Sequence, residues 1–123
     1  MYRLQVKAHF DAAHYIKDYV GKCSRMHGHR WEVEVTIVGK MLDDKNMLLD
    51  FGEIKENLSG LLDAFLDHYL LNETLREFNV TAEFLARWIY NRFVELTRME
   101  RTQLESVTVW ESPDCCVSYN GES

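Results

Sequence analysis

Features that divide a chain, cross a membrane or direct export are scarce in this sequence. One proline and six glycines among 123 residues leave no Pro/Gly-rich stretch that would serve as an interdomain linker. No run approaches the roughly 18 consecutive apolar residues of a membrane span. The first ten residues, MYRLQVKAHF, alternate polar and apolar side chains where a signal peptide would be continuously apolar. We therefore expect a single domain over residues 1–123 with no membrane partner.

Positive charge and cysteine are also in short supply. The 14 Lys and Arg residues face 20 Asp and Glu residues, for a formal net charge of −6. Nucleic-acid binding depends on cations clustered against phosphates, so we expect no nucleic-acid partner, although a few local cations suffice for a small anionic ligand. The three cysteines, two of them adjacent at Cys115 and Cys116, make a poor disulfide framework. A reducing cytoplasm is the location that we expect.

Apolar residues make up 46% of the chain, and in four segments they alternate with polar ones. This period of two predicts half-buried strands over 4–10 and 29–39 and in the segments SVTVWES and CCVSYN. A polar SPD turn separates the last two segments. On the second strand, the alternation places four large side chains towards the core: Trp31, Val33, Val35 and Ile37.

Between the two strand pairs the apolar spacing changes to three and four residues, which predicts two helices. The first begins after Asp50, an N-cap with Glu53 as its capping-box partner. The second runs from about Ala82 to Met99 behind Thr81, a plausible N-cap. The order ββααββ predicts an α+β fold, a four-stranded antiparallel sheet with two helices on one face. Such a sheet has two open edges, so we expect an oligomer.

Two histidines stand at the entry to the second strand, in the segment CSRMHGHRWEVEV that begins at residue 23. His27 and His29 are two residues apart, so their rings lie on the same face of the sheet. A hairpin or meander would bring His14 beside them. Three imidazoles with a fourth position open are typical of catalytic zinc, although copper, nickel and iron also accept imidazole. The spacing alone is equally consistent with histidines that bind no metal.

Cys23 allows two interpretations of this histidine cluster. As a fourth metal ligand it would complete a closed structural site and leave nothing reactive. As a free thiol near a dication it would have more thiolate character and would be a competent base or nucleophile. The spacing does not decide between them.

Two further groups are candidates for proton chemistry. Asp67 precedes His68 at the end of the first helix, where it can orient the ring and stabilise its charged form if the fold turns both inward. A solvent-exposed helix C-terminus explains the same pair. Glu111, near a strand end, is an ordinary surface residue unless it is buried. If buried, its two oxygens suit a bidentate partner such as the N–H edge of a heterocycle.

The motifs together resemble one family. The segments FDAAHYI, CSRMHGHRWEVEVTIVG, LLDFGEIK, LDHYLLN, NVTAEFLARWIYNR and VWES are similar, in order and spacing, to those of the 6-pyruvoyl-tetrahydropterin synthase family over essentially the whole chain. The CxxxHGH spacing and the ending CCVSYNGE resemble its 6-carboxy-tetrahydropterin synthase branch, which serves queuosine and deazapurine synthesis. The chain departs from the family at Val80, where proline is frequent, and at Ser112, where threonine is frequent.

The resemblance implies a fold, an assembly and a metal. The fold is the tunnelling fold, in which trimers close a twelve-stranded barrel and two trimers stack into a homohexamer with sites at subunit interfaces. It also implies that Zn²⁺ is bound by His14, His27 and His29 and that Cys23 is unligated.

The reaction that the resemblance implies is that of a zinc-dependent lyase. It converts 7,8-dihydroneopterin triphosphate into 6-carboxy-5,6,7,8-tetrahydropterin with loss of acetaldehyde and triphosphate. Cys23 takes a proton from the side-chain carbon of the substrate, and His68, held by Asp67, transfers protons on the opposite side. Glu111 binds the amino and ring N–H edge of the pterin and takes part in the charge relay.

Other contacts and activities remain open. Lys22 and Arg25 flank the thiol and are candidates for the triphosphate, although a solvated loop explains them equally well. Thr81 is a candidate pterin contact whose N-cap role is also sufficient. Triphosphate elimination to 6-pyruvoyl-tetrahydropterin is the alternative activity. A non-catalytic, zinc-stabilised assembly module is the alternative from another class, and it predicts that Cys23 binds the metal or that Glu111 faces solvent.

Overall fold

The computed structural model describes residues 1–17, 20–21, 24–97 and 99–122. Its elements are β1 (Tyr2–His14), β2 (His27–Gly39), α1 (Phe51–Phe65), α2 (Leu71–Thr74), α3 (Ala82–Leu96), β3 (Thr102–Ser112) and β4 (Cys115–Tyr119). The predicted α+β class is confirmed. The sequence pattern does not predict α2, because four residues are too few to show a helical period. Among the described residues, no helix has the length and apolar character to cross a bilayer.

The sheet is antiparallel with the order β1-β2-β3-β4. β1 and β2 pair over their whole lengths, from Tyr2 with Gly39 to His14 with His27. Both strands are therefore longer than predicted from the alternation of apolar and polar residues. Small and polar residues at their paired ends break this alternation, but the backbone hydrogen bonds between the strands continue. β3 pairs with β2 only from Glu32 onwards, so the first five residues of β2 do not pair with β3.

The hydrophobic core lies between the sheet and helices α1 and α3. The four side chains predicted to face inward on β2, including Trp31, are fully buried. They form one cluster with residues of both helices, among them Leu58, Leu62, Leu85, Ile89 and Phe93. Burial of each such side chain contributes about 1.5–3 kcal/mol. The ring of His14 contacts the ring of Trp31, with centroids 4.8 Å apart, so the histidine cluster is built directly on this core.

Both predicted N-caps are present. The Asp50 carboxylate accepts the Gly52 N–H at 2.8 Å, and the Thr81 hydroxyl accepts the Phe84 N–H at 3.1 Å. Each cap satisfies one backbone donor that the first helical turn leaves without a partner. α3 ends at Leu96, short of the predicted Met99, because the next residue has an extended backbone.

The connection after α1 covers part of one sheet edge. Residues 67–70 lie along β1: the His68 N–H donates to the Asp11 carbonyl at 2.6 Å, and the Ala13 N–H donates to the Tyr69 carbonyl at 3.1 Å. Asp67 and His68 are thereby placed at the edge of the strand that carries His14.

Candidate metal centre and active site

The three histidines meet at the paired ends of β1 and β2. His14 pairs with His27, and Ala12 pairs with His29, which places all three rings on the core-facing side of the sheet. Their ring centroids are 4.4–5.1 Å apart. The pairing of β1 with β2 therefore brings His14 beside the two rings that period-two spacing placed on one face.

Backbone carbonyls determine which nitrogen of two rings carries the proton. Nδ1 of His14 lies 2.7 Å from the Val80 carbonyl oxygen, and Nδ1 of His27 lies 2.6 Å from the Arg25 carbonyl oxygen. A carbonyl only accepts hydrogen bonds, so each Nδ1 is protonated and each neutral ring has its lone pair on Nε2. The two Nε2 atoms are 3.0 Å apart. Two lone pairs at this distance repel each other unless a cation lies between them.

Nε2 of His29 is a buried atom without a hydrogen-bond partner within the described part of the chain. A buried polar atom left in this state costs about 1–3 kcal/mol. Glu111 lies close by, with its Oε1 3.3 Å from this nitrogen and 3.5 Å from Nε2 of His14. A cation shared by these atoms would satisfy all of them.

Burial favours the metal-binding form of two of the imidazoles, His14 and His29. Burial lowers the pKa of His14 below its ordinary value of 6.5, against the opposing effect of the Val80 carbonyl, and the neighbouring His27 lowers it further. Burial also lowers the pKa of His29, and the neighbouring rings of His27 and His14 lower it further. The neutral ring is the ligand form.

The donor set fits a divalent cation. One ligand atom from each of His14, His27, His29 and Glu111 lies within 4.8 Å of the others. Three imidazole nitrogens and one carboxylate oxygen suit zinc, and the carbonyl partners of two rings are the outer contacts that usually orient metal-binding histidines.

A second group forms around Asp67 and His68. Nδ1 of His68 lies 2.8 Å from one Asp67 oxygen, and the other oxygen accepts the Asp11 N–H at 2.9 Å. This N–H is the main cause of the lowered pKa of Asp67, which His68 also lowers. His68 has a left-handed backbone with φ of 65°, a conformation that costs about 1–3 kcal/mol and is often found at functional sites. The carboxylate is partly covered, whereas the imidazole side chain is 78% exposed.

Sequence reasoning did not single out Asp11 and Arg30, which complete this second group. Arg30 donates two hydrogen bonds to the Asp11 carboxylate, at 3.0 and 3.2 Å, and thereby lowers the pKa of Asp11. The Asp11 carboxylate is thus bound by the Arg30 guanidinium, and the Asp67 carboxylate is the partner of His68. The two residues face each other across β1 and β2, so a cross-strand charge pair was the signal that could have found them.

Two asparagines that the sequence analysis did not select hold the chain beyond β1. The Asn72 side chain accepts the Tyr15 N–H and donates to the carbonyls of Tyr15 and Phe78, at 2.8–3.0 Å. Asn79 accepts the Lys17 N–H at 2.7 Å and donates to the Lys17 carbonyl at 3.3 Å. These contacts tie the residues that follow His14 to the segment before α3.

The remaining predicted site residues lie at several different places in the chain. Lys22 and Cys23 lie outside the described residues. Arg25 is exposed, and its carbonyl holds the ring of His27. Thr81 caps α3. Glu111 lies against the imidazoles and also lines a cleft of about 400 Å³, a volume within the usual range of small-molecule sites. The other residues that line this cleft are Gly28, His29, Arg30, Glu32, Trp110, Ser112 and Pro113.

The fold and the converging donors define an α+β protein with a candidate catalytic metal centre at the end of its sheet. A protein-family model described as 6-pyruvoyl tetrahydropterin synthase matches residues 3–122, and the chain belongs to this family of pterin-synthesising enzymes. The resemblance found in the motifs is therefore confirmed.

Individual relatives agree with this assignment. The 6-carboxy-5,6,7,8-tetrahydropterin synthase of Synechocystis sp. is 34% identical over 114 residues, covering 89% of this chain and 86% of the relative. The enzyme of the same name from Rickettsia bellii is 32% identical over 127 residues, covering 88% and 92%. The structure of Caenorhabditis elegans 6-pyruvoyl tetrahydropterin synthase superposes with a TM-score of 0.84 at 24% identity, covering 98% and 96%. This likeness confirms the tunnelling fold.

Proposed function

We propose that the chain is a zinc-dependent 6-carboxy-5,6,7,8-tetrahydropterin synthase. It acts on 7,8-dihydroneopterin triphosphate, releases acetaldehyde and triphosphate, and serves queuosine or deazapurine biosynthesis in the cytoplasm. The names of the curated relatives support this activity. One observation carries the proposal. The unprotonated Nε2 atoms of His14 and His27 lie 3.0 Å apart, beside a cleft of about 400 Å³.

The metal ion and the histidines that would bind it have distinct proposed roles. Bound Zn²⁺ would supply a Lewis acid that polarises oxygens of the substrate side chain and stabilises developing negative charge. His14, His27 and His29 would hold the ion. The carbonyls of Val80 and Arg25 keep two of these rings in the required tautomer.

Asp67 and His68 are suited to proton transfer. The Asp11 N–H keeps the Asp67 carboxylate ionised and fixed. Asp67 in turn binds Nδ1 of His68, which leaves Nε2 as the free end of an exposed ring. A ring held in this way can accept or donate a proton at Nε2 while the carboxylate stabilises its charged form.

The other proposed roles follow the family pattern. Cys23 would act as the base that removes the proton from the substrate carbon. Glu111 would accept the N–H edge of the pterin and join the charge relay, and Thr81 would contact the pterin. Lys22 and Arg25 would bind the triphosphate.

We further propose a single domain that assembles as a homohexamer. β1 and β4 are the two edge strands, and the 67–70 segment lies beside only the last part of β1. Edge strands with free backbone groups favour pairing with another copy of the chain, and closure into a ring removes the edges.

The second candidate is triphosphate elimination to 6-pyruvoyl-tetrahydropterin, which the name of the matching family model and of the C. elegans structure favours. Incubation of zinc-loaded protein with 7,8-dihydroneopterin triphosphate, followed by mass spectrometry, separates the two products by mass. The proposed function predicts the 6-carboxy product and acetaldehyde. An unchanged substrate would overturn both activities and support the non-catalytic module.

A further inference from the structure

We propose that Glu111 is a fourth, displaceable ligand of the metal centre. In the substrate-free protein it completes the donor set formed by the three imidazoles, and it yields this position when substrate enters the cleft. The inference rests on the proposed function for the identity of the metal and substrate.

Three of the separations between donor atoms are close to those of a tetrahedral site. Donors bonded at about 2.0–2.1 Å to a tetrahedral ion are about 3.3 Å from one another. Oε1 of Glu111 lies 3.3 Å from Nε2 of His29 and 3.5 Å from Nε2 of His14, and the latter lies 3.0 Å from Nε2 of His27. The carboxylate oxygen therefore has the separation expected of a fourth corner.

The contact between Glu111 and His29 is not an ordinary hydrogen bond. Nε2 of His29 has no hydrogen-bond partner among the described residues, although Oε1 is only 3.3 Å away. The two atoms are close but not directed at each other, which is the arrangement of two ligands that share a cation.

The position of Glu111 makes it displaceable. The register of β3 and β4 passes from Trp110, paired with Cys116, to Ser112, paired with Cys115, so Glu111 is skipped in the ladder. Irregularities of this kind re-aim a side chain and release it from the sheet. The Glu111 side chain is 32% exposed, whereas that of His14 is fully buried, and Glu111 lines the cleft. It can turn from the histidines to the cleft without disturbing the core.

This exchange reconciles the observed position of Glu111 with its predicted role. A carboxylate that leaves the imidazoles faces the cleft, where its two oxygens can accept a pair of N–H groups from a heterocycle. Binding of the heterocycle would thus stabilise the released form of Glu111 and open the fourth corner only when substrate is present.

The test compares Glu111→Ala and Glu111→Gln with Glu105→Gln. Glu105 lies on the same strand and pairs with Arg3 at 3.0 Å in an exposed ion pair, so it controls for loss of a β3 carboxylate. Zinc affinity is measured by competition with a chelator. The visible spectrum of the cobalt-substituted protein is titrated with imidazole, a neutral probe that occupies an open corner irrespective of the carboxylate charge.

Both Glu111 variants should bind zinc roughly 10- to 100-fold more weakly. Their cobalt centres should bind imidazole more tightly than wild type, whereas Glu105→Gln should match wild type in both measurements. Glu111→Gln preserves the size of the side chain, so it provides the test if Glu111→Ala does not fold. Zinc and imidazole affinities equal to those of Glu105→Gln would overturn the inference. The measurements use no substrate, so this failure would leave the proposed activity intact, and absence of turnover would leave the ligand assignment intact.

Discussion

The carbonyl oxygen of Val80 accepts a 2.7 Å hydrogen bond from Nδ1 of His14. Val80 directly precedes Thr81, the N-cap of α3, so a candidate metal ligand is bound to the backbone where this helix begins. The link fixes the tautomer of His14 and orients the ring. It also explains how valine serves at a position where the family often has proline, since the contact is made by the carbonyl alone.

Zinc should stabilise the protein through the histidine cluster. At a free zinc concentration 100 times the dissociation constant, binding to the folded state adds about 2.7 kcal/mol. His29→Ala should largely remove the zinc-dependent rise in melting temperature, and Nε2 of His29 has no hydrogen bond among the described residues that the variant would lose. Differential scanning fluorimetry with and without zinc measures the effect. His9→Ala, an exposed residue of β1, is the matched control and should respond as wild type does.

The metal-free protein should lose stability as the pH falls below 6.5. The pKa values of His14 and His29 are lowered from 6.5 in the folded state, so the unfolded chain binds more protons than the folded protein below this pH. Stability is therefore fully present above pH 6.5 and declines as the pH falls towards the lowered values. Urea denaturation with a chelator, from about pH 7.5 to about pH 5.5, measures the decline.

A matched variant identifies the groups responsible for this pH dependence. His29→Ala should show a shallower decline than wild type, because one of the two titrating rings is absent. The aspartates of the second group do not contribute in this range, since the pKa values of Asp11 and Asp67 are lowered from 3.8. An equal slope in the variant would contradict the assignment.

Asp67→Asn should impair turnover and leave the metal centre intact. The amide does not stabilise a charged His68 ring, and removal of a positioned acid–base group typically costs roughly 10²–10⁴-fold in rate. Steady-state kinetics on the zinc-loaded enzyme should show the loss in kcat, with zinc affinity unchanged. Asp63→Asn, an exposed position on α1, is the control. A wild-type kcat for Asp67→Asn would exclude this pair from the reaction.

Arg30→Gln should reduce turnover by disturbing the same pair indirectly. Without the guanidinium, the Asp11 carboxylate becomes a second acceptor for His68, since Asp11, Asp67 and His68 lie within 4.8 Å of one another. Displacement of a catalytic group by about 1 Å can cost up to about 100-fold in rate. Arg3→Gln breaks a similar exposed ion pair, with Glu105, far along the strand, and should have no such effect. Equal kcat values in the two variants would rule out a positioning role.

Asn79→Ala should loosen the segment that follows β1. The variant loses both contacts with Lys17, so trypsin should cleave after Lys17 faster than in wild type. Asn57→Ala removes a side-chain contact between α1 and Thr97, the residue that follows α3, and provides the comparison. Mass spectrometry of the fragments identifies the cleaved bond, and equal cleavage rates in the two variants would contradict the expectation.

The sequence predicts the parts of this structure that depend on local periodicity. The alternation around Trp31 placed the core side chains of β2, and the same period placed His27 and His29 on one face. Asp50 and Thr81 were recognisable because N-capping chemistry is local. Helix α2 was not predicted because four residues show no helical period, and the full length of β1 was not predicted because small and polar residues at its end interrupt the alternation.

The detail of the site depended on register, which periodicity does not specify. The pairing of Asp11 with Arg30 follows from one alignment of β1 and β2. The location of Glu111 beside the imidazoles follows from an irregularity between β3 and β4. A shift of one residue in either ladder would turn these side chains to the other face of the sheet.

The first five residues of β2, which do not pair with β3, carry two of the candidate metal ligands. The imidazoles lie on a two-stranded ribbon that continues from an already packed sheet, and the apolar cluster beneath is assembled from side chains other than the candidate ligands. We therefore expect the chain to fold before it binds the metal. A cell deprived of zinc would then accumulate folded, inactive protein that regains activity when zinc returns.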